Sequence, residues 1–506
     1  MHHMGPGFLM CIAFIDPGNL EADLQTGAKA GYTLLWVVLL STIMGLVLQS
    51  RACKLGVTTG RHLAAHCRAR YSPPVRIVLW LMAELAIVGS DIQEVIGTAL
   101  ALSLLSRGHI PLWAGVVAAA GVAFALLALE RAGVRWLERA FQLFVAVMAV
   151  AMGSLFFLAD IPYARVAEGL VVPRLPRSTV ATACGLLGAI IMPHNLFLHS
   201  ALVHARELPG GVAVSKRDSI RYYNIESGLA LVATLFINVC VISVFAAGVH
   251  GRPEAEGIGL ANAGAFLGAR YGAKMEFLWG IGLLAAGQSS TMTGTYAGQF
   301  VMDGFLNLKW SAARRTAVTR AIALCPTLLF AFASPGALDS MNQWINILQS
   351  VQLPFAVVPL LVLTSAGGVL PDEYLSSWGS TLTAWAVAAL IIVINSGTAV
   401  ETFMSDLLPP GAAPVVLFGA GIAVYLVFLG YLGAGPGRVH AALSSASQRC
   451  LACGRAPCRR RGSIACCQKG LEKEALLIGA RRHSGSSSSG SCDGLSEPLL
   501  TEPART

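Results

Sequence analysis

Two short polar segments interrupt apolar stretches of this chain. The first reads Phe-Ile-Asp-Pro-Gly-Asn and carries Asp16 and Asn19; the second reads Gly-Ala-Ile-Ile-Met-Pro-His-Asn and carries Ala189 and Met192. Proline removes a backbone donor and glycine loosens the backbone, so each segment predicts a break in a helix. A bilayer tolerates such a break only where the freed groups face protein or a water-filled cavity. The two segments therefore predict a functional site.

The groups at these breaks have the chemistry of metal ligands. Asp16 offers an anionic oxygen, Asn19 an amide oxygen, Ala189 a freed carbonyl oxygen and Met192 a thioether. Calcium and magnesium prefer shells made only of oxygen, whereas a thioether favours softer ions such as Mn(II), Fe(II), Co(II) or Cd(II). A lone methionine is more often core filler. Its place just before Pro193 favours the ligand interpretation, so the sequence predicts a transition-metal site.

A second group of residues can titrate or pair at membrane depth. Asp91 and Glu94 are three residues apart and share one helical face. Arg320 can pair with an acid, and two histidines titrate near neutral pH. The members are Glu84, Asp91, Glu94, His194, His199 and Arg320. Two interpretations stay open, a proton route and a structural network of ion pairs.

The elements that carry these residues are predicted to be membrane helices. Of 506 residues, 55% are hydrophobic and 12% are charged, about half the charged fraction of a soluble domain. Apolar stretches of about 20 residues are long enough to span a bilayer as helices. Twelve spans are predicted, over residues 5–24, 32–50, 76–103, 111–130, 135–158, 179–204, 222–248, 275–301, 316–334, 343–365, 377–398 and 412–434. The chain is therefore expected to be an all-α polytopic membrane protein.

Charge and repeat pattern predict the orientation and architecture. Most of the 36 Lys and Arg residues fall on the side of the N-terminus, which predicts that both termini are cytoplasmic. The net charge of +9 reflects this bias, so no nucleic-acid partner is expected. Interrupted helices at spans one and six, in matching places of two five-helix halves, are typical of an inverted-repeat transporter with its site at the midplane.

The two interrupted segments resemble the signature motifs of the Nramp family, the proton-coupled divalent metal transporters. The resemblance extends over about residues 5–434 and includes the segments 84–98 and 285–299. It implies a leucine-transporter-type fold with one repeat over 5–158, a second over 179–365 and two extra helices over 377–434. Residues 1–434 are accordingly expected to form one transporter domain.

The resemblance also implies roles for individual residues. Metal is expected at Asp16, Asn19, Met192 and the Ala189 carbonyl, with Asn346 as an additional ligand in one conformational state. The family's proton-pathway positions match Asp91, Glu94, His194 and Arg320. Family members without methionine at the Met192 position handle magnesium or aluminium, so Met192 indicates the transition-metal branch.

The expected function is secondary transport of Mn²⁺ or Fe²⁺, and also Cd²⁺ and Co²⁺, toward the cytosol with protons by alternating access. The chain is expected to be a carrier in the lipid bilayer, without enzymatic activity or cofactor. One alternative is a symporter of a small organic solute, which would need an anion-binding helix start. The other is a non-transporting metal sensor, which would need a folded output domain. An ATP-driven pump is disfavoured because no phosphate-binding loop of the Walker type is found.

Residues 435–506 are rich in Ser, Arg and Cys and predict a disordered cytoplasmic tail. Within them, Glu472 followed by Leu476 and Leu477 resembles an acidic dileucine sorting signal. Such a signal implies sorting adaptors as partners and an endosomal, lysosomal or vacuolar membrane, with the plasma membrane as the other location.

Overall fold

The computed structural model describes residues 14–130, 134–205, 215–308, 310–333, 335–365, 369–402 and 412–434. The tail, its sorting signal and the first part of span one lie outside the described residues. The helices of the first half are α1 (Pro17–Ala30), α2 (Leu35–Thr59), α3 (Leu63–Arg70), α4 (Pro73–Leu105), α5 (Leu112–Glu130), α6 (Val134–Leu158) and α7 (Tyr163–Val171).

The second half continues with α8 (Val180–Ile190), α9 (Pro193–Ala205), α10 (Lys216–Val249), α11 (Leu260–Tyr271), α12 (Ala273–Leu306), α13 (Ala312–Ala333), α14 (Pro335–Gln352) and α15 (Pro354–Ser365). The last two helices are α16 (Trp378–Thr402) and α17 (Ala412–Ala434). A helix lies at each of the twelve predicted spans. The short helices α3, α7 and α11 lie in the connections between spans.

Several of these helices can cross a membrane by length and composition. Among the described residues, six apolar helical segments qualify as membrane spans. A further pair of helices, Val145–Leu158 and Tyr163–Val171, is bent by 119° at the break between them, and it makes seven spans if it is counted as one. Two shorter apolar helices are Leu112–Val122 and Phe418–Ala434. The all-helical, multi-pass expectation is confirmed, and the exact number of twelve stays a prediction.

The two interrupted spans lie at the centre of the helix packing. The half-helix α1 packs against α8, and both pack against α14, while α10 runs along α1. Glycine allows one of these close approaches, because a Cβ added to Gly97 on α4 would lie 2.3 Å from Pro17 Cγ. Small residues at helix interfaces let backbones approach closely in this way. The first break is therefore held directly against α4.

A third interruption was not expected. The sequence predicts span ten as one continuous helix over 343–365, but α14 ends at Gln352 and α15 begins at Pro354. Pro354 has no N–H to donate to the carbonyl oxygen of Ser350, four residues earlier. That oxygen accepts a hydrogen bond from Asn395 Nδ2 on α16 instead. Helix α16 thus supplies a donor at the interruption in span ten.

Candidate metal site

The first break turns two polar side chains toward each other. Asp16 caps α1, and its Oδ1 accepts a hydrogen bond of 2.8 Å from Asn19 N. Pro17 occupies the first helical position, where its missing N–H costs nothing. Asn19 Nδ2 donates to Phe14 O at 2.5 Å. This leaves Asp16 Oδ2 and Asn19 Oδ1 buried without a hydrogen-bond partner.

The second break frees a backbone oxygen. Helix α8 ends at Ile190, and Ile191 N donates to Leu187 O at 2.9 Å as the last turn closes. The next helix starts at Pro193, which has no N–H to donate to the Ala189 carbonyl oxygen. Met192 lies between the two helices and is 1% exposed. A carbonyl oxygen and a thioether therefore lie at one buried break.

Helix α14 connects to the first break through Asn346. Asn346 Nδ2 donates to Gly18 O at 3.0 Å, and Asn346 Oδ1 accepts from Gln93 Nε2 at 2.7 Å. Close packing against α8 depends on Gly188, since a Cβ there would lie 2.3 Å from Asn346 O. The side-chain oxygen Oδ1 of Asn346 thus accepts a hydrogen bond from Gln93 in this conformation. That hydrogen bond would have to break before Oδ1 could bind a cation.

Gln93 is a buried residue that the sequence analysis did not identify. Its Nε2 also donates to Asn342 O at 3.3 Å, and its Oε1 accepts from Gln349 Nε2 at 3.2 Å. A Cβ on Gly18 would lie 2.5 Å from the Gln93 amide, so the glycine of the first break makes room for this side chain. The sequence contained one indication of this role, because Gln93 is a polar residue beside Glu94 in an apolar span.

The acidic group on α4 forms two separate clusters. Arg320 Nη2 lies 2.7 Å from Glu94 Oε2 and 3.5 Å from Asp91 Oδ1. Helix α12 packs over these acids at Gly294, where a Cβ would lie 3.1 Å from Asp91 Oδ1 and 3.2 Å from Glu94 Oε1. The structure therefore brings together three of the predicted proton-route residues in one buried cluster.

Glu84 belongs to the other cluster. Its Oε2 pairs with Arg315 Nη2 at 2.9 Å, and its Oε1 accepts a hydrogen bond of 3.2 Å from Trp80 Nε1. Arg315 is 3% exposed and fills the space beside Gly298, where a Cβ would overlap its guanidinium. The sequence analysis did not identify Arg315 as a partner, although it lies in the basic run that begins α13.

The two predicted histidines lie on α9, after the second break. His194 is 2% exposed and His199 is 0% exposed. The Nδ1 of His194 and both ring nitrogens of His199 are buried without a hydrogen-bond partner. Within the described part of the chain, neither ring is hydrogen-bonded or ion-paired to the Arg320 cluster. Contact between them would require a water chain or a movement of helices.

Two carboxylates, one in the second turn of α1 and one on α14, hold the start of α11. Glu21 Oε2 accepts from Leu260 N at 3.0 Å, and Asp339 Oδ1 accepts from Ala261 N at 3.4 Å. Carboxylates at a helix N-terminus are stabilised by its free N–H groups and dipole. We call this set, Glu21, Asp339, Leu260 and Ala261, the clasp. By the predicted orientation, the clasp lies on the outer side.

The predicted donors at the two breaks are occluded from solvent. Asp16 and Asn19 are each 1% exposed. In the ranges that the structure describes, no group of three His, Cys, Asp or Glu side chains could hold a metal ion. A cation at the breaks would therefore depend on one carboxylate combined with amide, carbonyl and thioether donors. This set suits a labile transition ion that must be released again.

A family model described as "Natural resistance-associated macrophage protein-like" matches residues 7–401. The chain is 46% identical over 434 residues to "Metal transporter Nramp2" of Populus trichocarpa, which covers 85% of this chain and 80% of that relative. It is 49% identical over 391 residues to "Metal transporter nramp1 homolog" of Dictyostelium discoideum, covering 77% of this chain and 73% of that relative.

Solved structures agree with these sequence relatives. A manganese transporter of Eremococcus coleocola has a TM-score of 0.73 and 28% identity, covering 85% of this chain and 93% of that one. The nucleobase–cation symporter Mhp1 in a closed conformation has a TM-score of 0.52 at 16% identity, which supports a shared fold alone. The inverted-repeat transporter architecture expected from the sequence is confirmed.

Proposed function

This chain belongs to the Nramp family, and from that premise we propose that it carries divalent transition-metal ions, chiefly Mn²⁺ or Fe²⁺, across a membrane toward the cytosol with protons. Cd²⁺ and Co²⁺ would follow the same route. The observation that supports this proposal is the set of buried donors at the two breaks, where Asp16 Oδ2 and Asn19 Oδ1 have no protein partner. Unpaired buried polar atoms are costly unless a ligand satisfies them.

Each donor has a distinct part in binding the transported ion. Asp16 supplies the charge that compensates for lost water ligands, and Asn19 and the Ala189 carbonyl add neutral oxygens. Met192 supplies a soft thioether, which favours transition ions over calcium and magnesium. The single full charge keeps affinity moderate, so the ion can leave on the other side. Asn346 would become a further ligand when its Oδ1 loses the hydrogen bond from Gln93 Nε2 and binds the ion instead.

Proton movement is proposed to follow the buried acids of α4. Arg320 stabilises the ionised forms of Asp91 and Glu94 while it contacts them. Movement of α13 away from α4 would leave an acid alone in low dielectric, where it takes up a proton. Helix movement thereby changes proton affinity, which is what coupling requires. His194 and His199 are the proposed continuation of this route.

The proposed setting is a multi-pass membrane protein with both termini in the cytoplasm. The excess of Lys and Arg on one side supports this orientation. The segment around Glu472, Leu476 and Leu477 supports delivery to endosomal, lysosomal or vacuolar membranes by sorting adaptors. The chain is proposed to act as a carrier, without enzymatic chemistry and without a resident cofactor.

The test is metal binding and uptake by an Asp16→Ala variant. Purified protein is titrated with Mn²⁺ by calorimetry and reconstituted in liposomes with a metal-sensitive dye. We expect binding and uptake to be lost together, because Asp16 is the one anionic donor proposed at the breaks. Asp218→Ala, which removes an acid from the exposed first turn of α10, is the control and should behave as wild type. Wild-type affinity in Asp16→Ala would refute the site.

A further inference from the structure

The face of α1 that carries Asp16 and Asn19 also carries Asp23. Residues 16 and 23 are seven apart, which in an α-helix places them about 20° apart around the axis and about 10 Å apart along it. Asn19 lies between them on the same face. Helix α1 runs away from the first break, so Asp23 lies about two turns beyond the metal site toward the C-terminal end of α1.

Asp23 is buried without compensation for its charge. Its side chain is 0% exposed and its Oδ1 has no hydrogen-bond partner. Among the described ion pairs, none includes Asp23 or Asp16. At about 10 Å apart along α1, the two carboxylates repel each other when both are ionised. Two acids on one buried face, both without a basic partner, carry a large desolvation cost unless a cation or protons join them.

One side chain connects Asp23 to the metal site. The Asn238 amide, oriented to donate, gives a hydrogen bond of 3.1 Å to Asp23 Oδ2 and one of 3.2 Å to Thr234 O. The same end of the Asn238 side chain lies 3.4 Å from Asn19 Nδ2, and in this orientation that contact is not a hydrogen bond because two N–H groups face each other. Asn238 is 1% exposed and lies on α10, which packs along α1. The Asp23 carboxylate is therefore held in a fixed place, one side chain away from a proposed ligand.

We propose that Asp23 forms a second station for the transported divalent cation, about two turns from the Asp16 site along the same face of α1. This inference rests on the proposed function and deepens it. The groups identified at this station that can ligate a cation carry oxygen donors, with the Asp23 carboxylate as the anion. A thioether is not among them, so the station attracts divalent ions by charge and does not select soft ions over hard ones.

The competing interpretation is that Asp23 is a permanently protonated acid with a structural hydrogen bond to Asn238. Asparagine has nearly the shape of a protonated aspartic acid and can keep a hydrogen bond with the Asn238 amide. Asp23→Asn should therefore be almost neutral under the structural interpretation. If Asp23 attracts the cation, the same substitution removes the charge that does so. The two interpretations thus predict opposite results for one variant.

The experiment measures uptake of Mn²⁺ and of Cd²⁺ by full-length protein in liposomes. For Asp23→Asn we expect the concentration that gives half-maximal uptake to rise about tenfold or more for both ions, because a charge acting on a divalent ion over about 10 Å is lost. The ratio of the two concentrations should stay at its wild-type value. Thr26→Val is the matched control, since Thr26 is equally buried on α1 and its hydroxyl donates only to Ala22 O.

Half-maximal concentrations within twofold of wild type in Asp23→Asn would overturn the proposal. A changed Mn²⁺ to Cd²⁺ ratio would overturn it as well, because it would mean that Asp23 alters the selective site itself. If Asp23→Asn is not recovered in membranes, Asp23→Ser removes the same charge and is read by the same two criteria. Failure of the proposed function is separate, because it appears as unchanged metal binding in Asp16→Ala.

Discussion

Asp16 shows how a single residue combines a structural and a functional role. One carboxylate oxygen caps α1 by accepting from Asn19 N, which a helix start after a break requires. The other oxygen is buried and has no protein partner. A capping residue needs only one acceptor, and the helix dipole favours the negative charge of the cap. The second oxygen is not used by the cap, and it is the atom that we propose binds the metal ion.

Met192 gives a prediction at this scale. Met192→Ala removes the one soft donor while leaving Asp16, Asn19 and the Ala189 carbonyl in place. We expect Mn²⁺ and Cd²⁺ uptake to continue but calcium and magnesium to compete about tenfold more effectively than in wild type, since the remaining donors are all oxygen. The measurement is Cd²⁺ uptake at increasing calcium concentration.

Met44→Ala is the control for that experiment, because Met44 is as buried as Met192 but lies within the continuous helix α2 and not at a break. Unchanged discrimination in Met192→Ala would remove the thioether from the selectivity argument. A loss of discrimination in both variants would point to general loosening of the core.

Residues at the breaks could be predicted because local sequence encodes them. Pro193 removes a specific donor, so the freed Ala189 carbonyl follows from chemistry within one segment. Gln93 and Asn238 could not be predicted, because their roles depend on which helix faces meet, and hydrophobic periodicity does not reveal neighbours. The same limit applies to Arg315. Arg315 lies about 140° around α13 from Arg320, so the two arginines form ion pairs with different acids.

At the scale of elements, the interrupted helices are held by partners at both ends. Helix α1 starts at the Asp16 cap and is joined to α11 by the clasp through Glu21 in its second turn. Gln25 Nε2 adds a hydrogen bond of 2.7 Å to Ile258 O, just before α11. Helix α14 shares the clasp through Asp339. Movement of α1 or α14 must therefore release the first turn of α11.

The clasp gives a prediction for these elements. The double variant Glu21→Gln with Asp339→Asn keeps side-chain size but removes both charges from the start of α11. A carboxylate at a helix N-terminus contributes about 0.3–1 kcal/mol when exposed and up to about 2 kcal/mol when partly buried. We expect the Leu260 and Ala261 amides to exchange hydrogen about tenfold faster, measured by hydrogen–deuterium exchange.

Glu254→Gln, which changes an exposed acid just before α11, should leave that exchange unchanged. Wild-type exchange in the double variant would show that the carboxylates do not hold α11 in place. Faster exchange throughout the protein would show general destabilisation and would also contradict a local clasp.

The whole molecule combines two breaks at its centre with buried ion pairs beside them. Helix α4 connects these parts, since Gly97 packs on Pro17 while Asp91 and Glu94 face Arg320. The sequence predicted the helices, both central breaks and the acid group, because composition and periodicity determine them. It did not predict the interruption at Pro354 or the division of the acids between two arginines, which depend on tertiary packing.

Proton coupling is the property that depends on this whole arrangement. We expect Asp91→Asn or Glu94→Gln to abolish acid-stimulated proton influx during metal uptake while leaving measurable metal flux, because neither acid is a proposed metal ligand. Both acids contact one guanidinium, so their effects should be less than additive. The assay is a liposome preparation with a metal dye and a pH dye read in parallel.

Glu84→Gln is the control in that assay, because it distinguishes a loss of proton coupling from a general loss of stability. It breaks a buried ion pair of the same kind, with Arg315, on the same two helices. Removing one partner of a buried pair costs about 3–5 kcal/mol, so all three variants should lose thermal stability. If proton influx falls only in Asp91→Asn and Glu94→Gln, the Arg320 cluster carries the coupling. If those two variants keep wild-type proton influx, these acids are structural and protons take another route.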